Sequence, residues 1–258
     1  MICKSQYGAI YYEFTGPKGA PVVVLCHGVG MDHQTFEKQV SALEKEYQVI
    51  VWDMPGHGRS TLEKHNIRFS LMAAECLVEL LDETGTDRAV LGGLSLGSFV
   101  IQHVLHQYPE RVLATIHIGG IPLHPKYSRL LKPAFHMAGT LRLMPDKMFY
   151  RSFAKHRANA SETRKYMEET AAKTGKNLMM KITGDMGEDM IEGISQPALR
   201  PMLITYGADD IYTRRLSDKW HNRVPGSHRA VVSSANHIAN QDNWEAFNQS
   251  MLSFLRTL

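Results

Sequence analysis

The chain has 258 residues, of which 43% are hydrophobic and 21% are charged, with a formal net charge of +3. This composition is typical of a globular domain that buries a hydrophobic core. The charge is too small to indicate a nucleic-acid partner, and no run reaches the roughly 18 apolar residues of a membrane span. Because Met1–Tyr12 carries no signal-peptide core, we expect a cytoplasmic protein with no membrane partner.

The three cysteines, Cys3, Cys26 and Cys76, are scattered along the chain. Their spacing matches neither a disulfide framework nor a zinc site. Cys26 lies within an apolar run, where a thiol behaves as a small buried residue. We therefore expect no metal site.

The first 120 residues alternate between strand and helix patterns. Pro21–Cys26 is a continuous, largely β-branched run, typical of a strand buried on both faces. Ser70 is a preferred N-cap residue, and the apolar periodicity after it predicts a helix to about Glu83. The other predicted strands are Gln6–Phe14, Tyr47–Trp52, Arg111–Ile118 and one that starts at Ala89, and the other predicted helices are Asp32–Glu46 and Ser95–Gln107.

The pattern changes between Ile121 and Gln196, where no buried-strand run appears. This segment is helical in composition and has 13 Lys/Arg against 8 Asp/Glu, so it is predicted to be a helical insertion. It holds 8 of the chain's 14 methionines: Met137, Met144, Met148, Met167, Met179, Met180, Met186 and Met190. These residues either line an adaptable apolar pocket or pack the inserted helices. The basic excess either favours anionic acyl groups or forms a solvated face.

Strand patterns resume after the insertion. Pro201–Tyr206 and Arg229–Ser233 are predicted strands, Arg214–Asn222 is a predicted helix, and the last helix runs from Asp242 to the final residue. Alternating strands and helices predict a parallel sheet covered by helices on both faces. We therefore expect a single domain over 1–258, with a core of 1–120 and 197–258 and the insertion at 121–196.

A G-x-S-x-G motif, Gly93-Leu94-Ser95-Leu96-Gly97, lies where a predicted strand meets a predicted helix. A serine at so sharp a turn is held in a strained conformation with its hydroxyl exposed. Side chains two positions before and after the serine would collide, which explains the glycines. The N-terminus of the following helix favours negative charge. In this context the motif predicts that Ser95 is a nucleophile.

Further motifs follow other predicted strands: His27-Gly28-Val29-Gly30, Asp53-x-Pro55-Gly56-x-Gly58-x-Ser60, Gly207-x-x-Asp210 and the late His237. Together with the serine motif, and in this order, they resemble the motifs of the α/β-hydrolase fold family. The resemblance covers Tyr12 to Phe254 apart from the insertion. It implies an eight-stranded, mostly parallel sheet with helices on both faces, and it makes the insertion a helical cap, or lid, over the site.

The family resemblance implies a catalytic triad of Ser95, Asp210 and His237. In this fold the acid and then the histidine follow the serine, and His237 lies after the last strand, at the same sheet edge as Ser95. Asp209 and Asp210 both qualify as the acid by location. The family's spacing from Gly207 selects Asp210 and leaves Asp209 as a solvated or turn-capping residue.

The oxyanion that forms when the serine attacks is predicted to bind the backbone N–H groups of Val29 and Leu96. Gly28 and Gly30 let the loop around Val29 approach closely. The chain departs from the family pattern at Asn236, where the family usually has glycine before the histidine. Asparagine tolerates a left-handed backbone, so we expect it to replace the glycine there.

The resemblance implies a cofactor-free serine hydrolase that acts on a small-molecule substrate as a monomer or homodimer. The main hypothesis is hydrolysis of a carboxylic ester or lactone of a small or medium apolar acid through an acyl-enzyme on Ser95. The same triad also serves C–C bond hydrolases, thioesterases and perhydrolases. A different alternative is a ligand-binding signalling protein of this fold with little turnover. The serine argues against the dehalogenase and epoxide-hydrolase branches, whose nucleophile is an aspartate.

Overall fold

The computed structural model describes residues 1–63, 66–124, 141–194 and 199–258. Within these ranges the strands are β1 (Ile2–Ser5), β2 (Gly8–Thr15), β3 (Val22–Cys26), β4 (Gln48–Trp52), β5 (Ala89–Leu94), β6 (Val112–Ile118), β7 (Met202–Gly207) and β8 (His228–Val232). The α-helices are α1 (Glu37–Leu43), α2 (Phe69–Glu83), α3 (Leu96–Gln107), α4 (Asp146–Lys155), α5 (Ser161–Thr174), α6 (Lys176–Glu192), α7 (Arg214–His221), α8 (Ala239–Asp242) and α9 (Trp244–Leu255).

The strands form one eight-stranded sheet in the order β1-β2-β4-β3-β5-β6-β7-β8. The first two pairs, β1 with β2 and β2 with β4, are antiparallel, and all the others are parallel. The predicted mostly parallel sheet is therefore confirmed. Among the strands of the described residues, the residue patterns missed only β1, because this four-residue strand buries one side chain, that of Cys3.

The central strands are buried on both faces. Val23 of β3 belongs to a core cluster that contains Leu43 of α1 and Phe247 of α9, whereas the next residue, Val24, belongs to a cluster that contains Leu77 of α2. Successive strand residues point to opposite faces, so a continuous β-branched run serves two cores at once. None of the helices in the described ranges combines the length and hydropathy needed to cross a bilayer.

Helices α4, α5 and α6 lie between β6 and β7, where the sequence predicts a helical insertion. Asp189 of α6 is buried and accepts a hydrogen bond from the Ser70 hydroxyl of α2. Ser70 was expected to cap α2, and that prediction is wrong: Arg68 holds the N-cap position and Ser70 lies inside the helix. The hydroxyl instead connects α2 to the inserted helices. Two details of the prediction, Met137 and the boundary at Gln196, lie outside the described residues.

The linker between α4 and α5 is fixed to the loop that follows β8. The Asp242 carboxylate accepts hydrogen bonds from the backbone N–H groups of Asn159 and Ala160, at 2.9 and 3.0 Å. It also accepts one at 2.9 Å from the N–H of Asn236. These hydrogen bonds place the inserted helices next to His237.

Candidate active site

Ser95 stands at the junction of β5 and α3 with a backbone φ of 50° and ψ of −107°. A non-glycine residue in such a conformation stores on the order of 1–3 kcal/mol of strain. A Cβ on Gly93 would lie 2.3 Å from the carbonyl oxygen of Gly97, and a Cβ on Gly97 would lie 2.1 Å from the carbonyl oxygen of Cys26. Only glycine fits at these two positions, so the sharp turn that the motif predicts is present.

Asp210 and His237 form a buried hydrogen-bonded pair. Nδ1–H of His237 donates to Oδ2 of Asp210 at 2.9 Å, and the two residues are 6% and 0% exposed. The N–H groups of Tyr212 and Thr213 donate to Oδ1 of Asp210, and the Thr213 hydroxyl donates to Oδ2. Every hydrogen bond therefore favours an ionised Asp210 and a His237 that carries its proton on Nδ1.

The electrostatics of Asp210 follow from these contacts. Burial alone would raise the pKa of the carboxyl group, but the charge of His237 and the hydrogen bonds from His237 and Thr213 outweigh it and lower the pKa to about 2. A carboxylate that stays ionised at neutral pH holds an imidazole in one tautomer and stabilises the imidazolium form.

Asp209, the other candidate acid, contacts a different partner. Its Oδ2 accepts a hydrogen bond from the side-chain amide of Asn159 at 2.8 Å, so Asp209 links the turn after β7 to the inserted helices. Asn236 does not adopt the expected left-handed backbone; Ser234, two residues earlier, has φ of 54°. The Asn236 side chain instead accepts a hydrogen bond from the N–H of His237 at 2.9 Å.

Ser95 and His237 approach the same segment at the end of β6. The Ser95 N–H donates to the carbonyl oxygen of Ile118 at 2.9 Å. The next residue, Gly119, has φ of 55°, and a Cβ there would lie 2.9 Å from Nδ1 of His237. Since β5, β6 and β7 run parallel, their C-terminal ends gather the serine, the glycine and the acid–histidine pair at one edge of the sheet.

The two backbone N–H groups predicted for the oxyanion belong to segments that follow strands β5 and β3 at this edge. Leu96 begins α3 directly after Ser95, and Val29 lies in the loop after β3. Within the described part of the chain, neither N–H donates a hydrogen bond. A helix N-terminus leaves donors such as the Leu96 N–H unpaired, and the Val29 N–H in its loop is likewise without a partner in the described residues.

Two buried histidines fix the loop that carries Val29. His57 accepts a hydrogen bond on Nε2 from the Gly30 N–H at 3.1 Å and donates from Nδ1 to the Pro55 carbonyl at 3.1 Å. His27 donates from Nδ1 to the Gly28 carbonyl and accepts on Nε2 from the Met54 N–H. Burial lowers the pKa of His57 to about 3 and also lowers the pKa of His27. Both rings are thus neutral connectors between the Val29 loop and the loop after β4.

The inserted helices also pack against the Val29 loop. A Cβ on Gly30 would lie 2.7 Å from Cε of Met179 in α6, and its φ is 70°. The Tyr166 hydroxyl of α5 donates to Oδ1 of Asp32 at 2.8 Å. Sequence reasoning missed these contacts, because no local pattern relates residues more than 130 positions apart.

The described residues contain no group of three or more His, Cys, Asp or Glu side chains placed to hold a metal ion. A cavity of about 760 Å³ lies at the opposite edge of the sheet, where Val90, Leu113 and Pro201 mark the starts of β5, β6 and β7. Ligands of open parallel sheets bind at the C-terminal ends of the strands. The cavity is therefore not part of the site that contains Ser95.

Comparison with known proteins gives one family match and several relatives. A family model described as the α/β hydrolase fold matches residues 21–243. A 3-oxoadipate enol-lactonase of Acinetobacter baylyi is 31% identical over 97 residues, which are 38% of this chain and 36% of the relative. A protein assigned provisionally as the carbamate hydrolase RutD of Escherichia coli is 25% identical over 93% of this chain and 91% of its own length.

The fold comparison agrees with the family match. A solved structure of Est816, described as an N-acyl homoserine lactone degrading enzyme, has a TM-score of 0.81 and 20% sequence identity. The superposition covers 98% of this chain and 100% of that one. Since the family model spans most of the chain and the architecture agrees with it, the chain belongs to the α/β-hydrolase fold family and is a hydrolase of that fold.

Proposed function

We propose that the chain hydrolyses a carboxylic ester or lactone of a small or medium apolar acid through an acyl-enzyme on Ser95. The observation that carries this proposal is the buried Asp210–His237 hydrogen bond of 2.9 Å beside the strained serine. A serine hydroxyl is a weak nucleophile, so it needs a base and a group that orients the base. The three side chains supply these parts.

In the acylation step, Nε2 of His237 takes the proton from the Ser95 hydroxyl as its oxygen attacks the carbonyl carbon. Asp210 holds the proton on Nδ1, so Nε2 carries the lone pair that the step requires. The negative charge that forms on the carbonyl oxygen is bound by the N–H groups of Val29 and Leu96. Each such donor contributes about 10²- to 10³-fold in rate.

The tetrahedral intermediate collapses when the imidazolium of His237 gives its proton to the leaving oxygen. The carbon–oxygen bond breaks, and the alcohol departs from an acyl group bound to Ser95. A water molecule then attacks the acyl carbon while His237 takes its proton, and a second collapse releases the acid and restores the serine. One water is consumed for each ester, with no change of oxidation state.

Two relatives support this reaction class. The enol-lactonase aligns with 38% of this chain, and the provisionally assigned carbamate hydrolase aligns with 93% of it. Lactones and carbamates both present a carbonyl carbon with a leaving heteroatom, the centre that a serine nucleophile attacks. C–C hydrolases, thioesterases and perhydrolases use the same triad, and no contact in the described residues favours one of them.

The test is turnover of a short p-nitrophenyl ester by the purified chain and by Ser95→Ala. We expect many turnovers per molecule of the native chain and a loss of at least about 10⁴-fold in kcat for the variant. Circular dichroism checks that the variant is folded. Binding of the ester by the native chain without repeated turnover would contradict the proposal and favour a signalling protein. Full activity of folded Ser95→Ala would place the nucleophile elsewhere.

A further inference from the structure

Arg157, in the linker between α4 and α5, lies beside the proposed catalytic pair. Its backbone carbonyl accepts a hydrogen bond at 3.2 Å from the N–H of Ile238, the residue after His237. Its guanidinium carbon lies 4.3 Å from the ring centroid of Phe153 and 5.4 Å from that of Tyr212. The cation thus contacts two aromatic rings, rather than lying on the solvated face that is one interpretation of the basic insertion.

Tyr212 connects Arg157 to the histidine. The Tyr212 and His237 rings form an edge-to-face contact with centroids 6.4 Å apart. Because the guanidinium and the imidazole contact the same ring, they lie within about 12 Å of each other. The Asp210 charge also acts on Arg157 and partly offsets the lowering of its pKa by burial.

Arg157 has no anionic partner in the chain. No carboxylate lies within 4 Å of its guanidinium among the described residues, and residues 64–65, 125–140 and 195–198 contain no Asp or Glu. The nearby carboxylates are all engaged: Asp209 with Asn159, Asp210 with His237, and Asp242 with backbone N–H groups. A half-buried cation with no counter-charge favours an anion from outside the chain.

The guanidinium also keeps free donors. Of its five N–H groups, one donates to the Phe153 carbonyl at 3.2 Å, and no other hydrogen bond from it is formed within the described residues. The other N–H groups of the guanidinium can therefore donate to a ligand, and the fork of this group can form two parallel hydrogen bonds to one anion. Carboxylates are the ligands that match this fork in charge and spacing.

We propose that Arg157 binds a carboxylate at the far end of an otherwise apolar acyl chain, so that the preferred ester or lactone derives from a small or medium dicarboxylic acid. This inference rests on the proposed function, because it places the second carboxylate relative to an ester carbonyl at Ser95. Arg157 is a specificity-determining residue that touches the substrate away from the bond that breaks.

The experiment compares matched esters of equal chain length. Monoethyl succinate, glutarate and adipate carry a free carboxylate, and ethyl butanoate, pentanoate and hexanoate are their neutral partners. For at least one pair we expect the native chain to prefer the half-ester by about tenfold or more in kcat/KM. Arg157→Gln should lower that preference by about 10- to 100-fold, mainly through KM, since a charge-assisted bidentate contact is lost. Arg157→Lys should retain part of it.

A matched control is Arg151→Gln, which removes an exposed arginine from α4 and should leave the preference unchanged. Equal preference of the native chain for charged and neutral esters would overturn the inference and leave the proposed function intact. A parallel loss on both esters in folded Arg157→Gln would also overturn it, because it would mean a structural tether between the inserted helices and Tyr212.

If no ester is hydrolysed, the proposed function fails. A binding measurement then tests the carboxylate site at Arg157 by itself. Calorimetric titration of the half-esters into Ser95→Ala should detect binding, and the double variant with Arg157→Gln should bind at least about tenfold more weakly. Equal binding by the two variants, or none by either, would contradict a carboxylate site at Arg157.

Discussion

Two hydrogen-bonded Asp–His pairs occur among the described residues, and one of them lies beside Ser95, the proposed nucleophile. Asp210–His237 and Asp53–His33 each join a fully buried carboxylate to Nδ1 of a nearly buried histidine, at 2.9 and 2.7 Å. Both carboxylates follow a strand of the sheet and accept backbone N–H groups. By burial and hydrogen bonding alone, the two pairs are hard to tell apart.

The second ring nitrogen distinguishes the pairs. Nε2 of His33 lies 3.4 Å from the Glu13 carboxylate, so His33 sits between two negative charges. His237 has no carboxylate near Nε2 in the described residues, and its ring packs against Gly119 next to the segment bound by Ser95. A histidine of such a pair can act as a base only where its other ring nitrogen stays unpaired, which holds for His237 and not for His33.

The largest effect that separates the pairs is expected from Asp210→Asn. Without the carboxylate, His237 loses the tautomer that leaves Nε2 unprotonated, and kcat for a p-nitrophenyl ester should fall by about 10⁴-fold. Asp209→Asn is the matched control and should change kcat by less than about tenfold, because its partner is Asn159. A larger loss of kcat in Asp209→Asn than in Asp210→Asn would identify Asp209 as the acid.

Asp53→Asn should instead act mainly on stability. Asp53 accepts hydrogen bonds from His33 and from the N–H of Arg59. The asparagine side chain of the variant would leave some of these buried donors without an acceptor. We expect the free energy of unfolding, measured by urea titration, to fall by about 3 kcal/mol. Well below the unfolding midpoint, kcat should remain within about tenfold of native. A loss of activity as large as that of Asp210→Asn, with stability unchanged, would make the two pairs functionally equivalent.

The smallest effect is a pH dependence of stability that comes from His33. Burial acts to lower the pKa of His33, but the hydrogen bond and charge of Asp53, with the charge of Glu13, outweigh it and raise the pKa above 6.5. A raised pKa means that the stabilisation is fully present below pH 6.5 and is lost as pH rises through the higher folded value. In urea titrations from pH 6 to 9, the free energy of unfolding of His33→Gln should decline less steeply with pH than that of the native chain. Identical slopes would contradict a protonated His33 beside Asp53 and Glu13.

The parts of the fold that were predictable are those with a local physical signature. A strand buried on both faces must be apolar at every position, so Val22–Cys26 was recognisable. The glycines around Ser95 are fixed by contacts of less than 2.5 Å that any Cβ would make. The contact between Gly93 and Gly97 acts within a few residues and leaves a pattern in the sequence, whereas Gly97 also meets Cys26 of β3 and was recognised from the motif rather than from a local constraint.

The remaining features depend on contacts between distant residues. Ser70 has the composition of an N-cap, yet a carboxylate 119 positions away uses its hydroxyl. The His57 ring accepts a hydrogen bond from the N–H of Gly30, 27 positions away. The sequence around His57 shows only a glycine on either side and does not indicate this contact. Arg157 was one of many basic residues until the fold placed two aromatic rings around it. Distance along the chain, rather than chemistry, limited the prediction.

The most direct measurement of the central claim is the labelling rate of the chain by a fluorophosphonate, followed by mass spectrometry of the intact protein and of its peptides. The account predicts a single adduct on Ser95, no labelling of Ser95→Ala, and strongly slowed labelling of Asp210→Asn but not of folded Asp53→Asn. An adduct on another residue, or equal slowing in both aspartate variants, would contradict it.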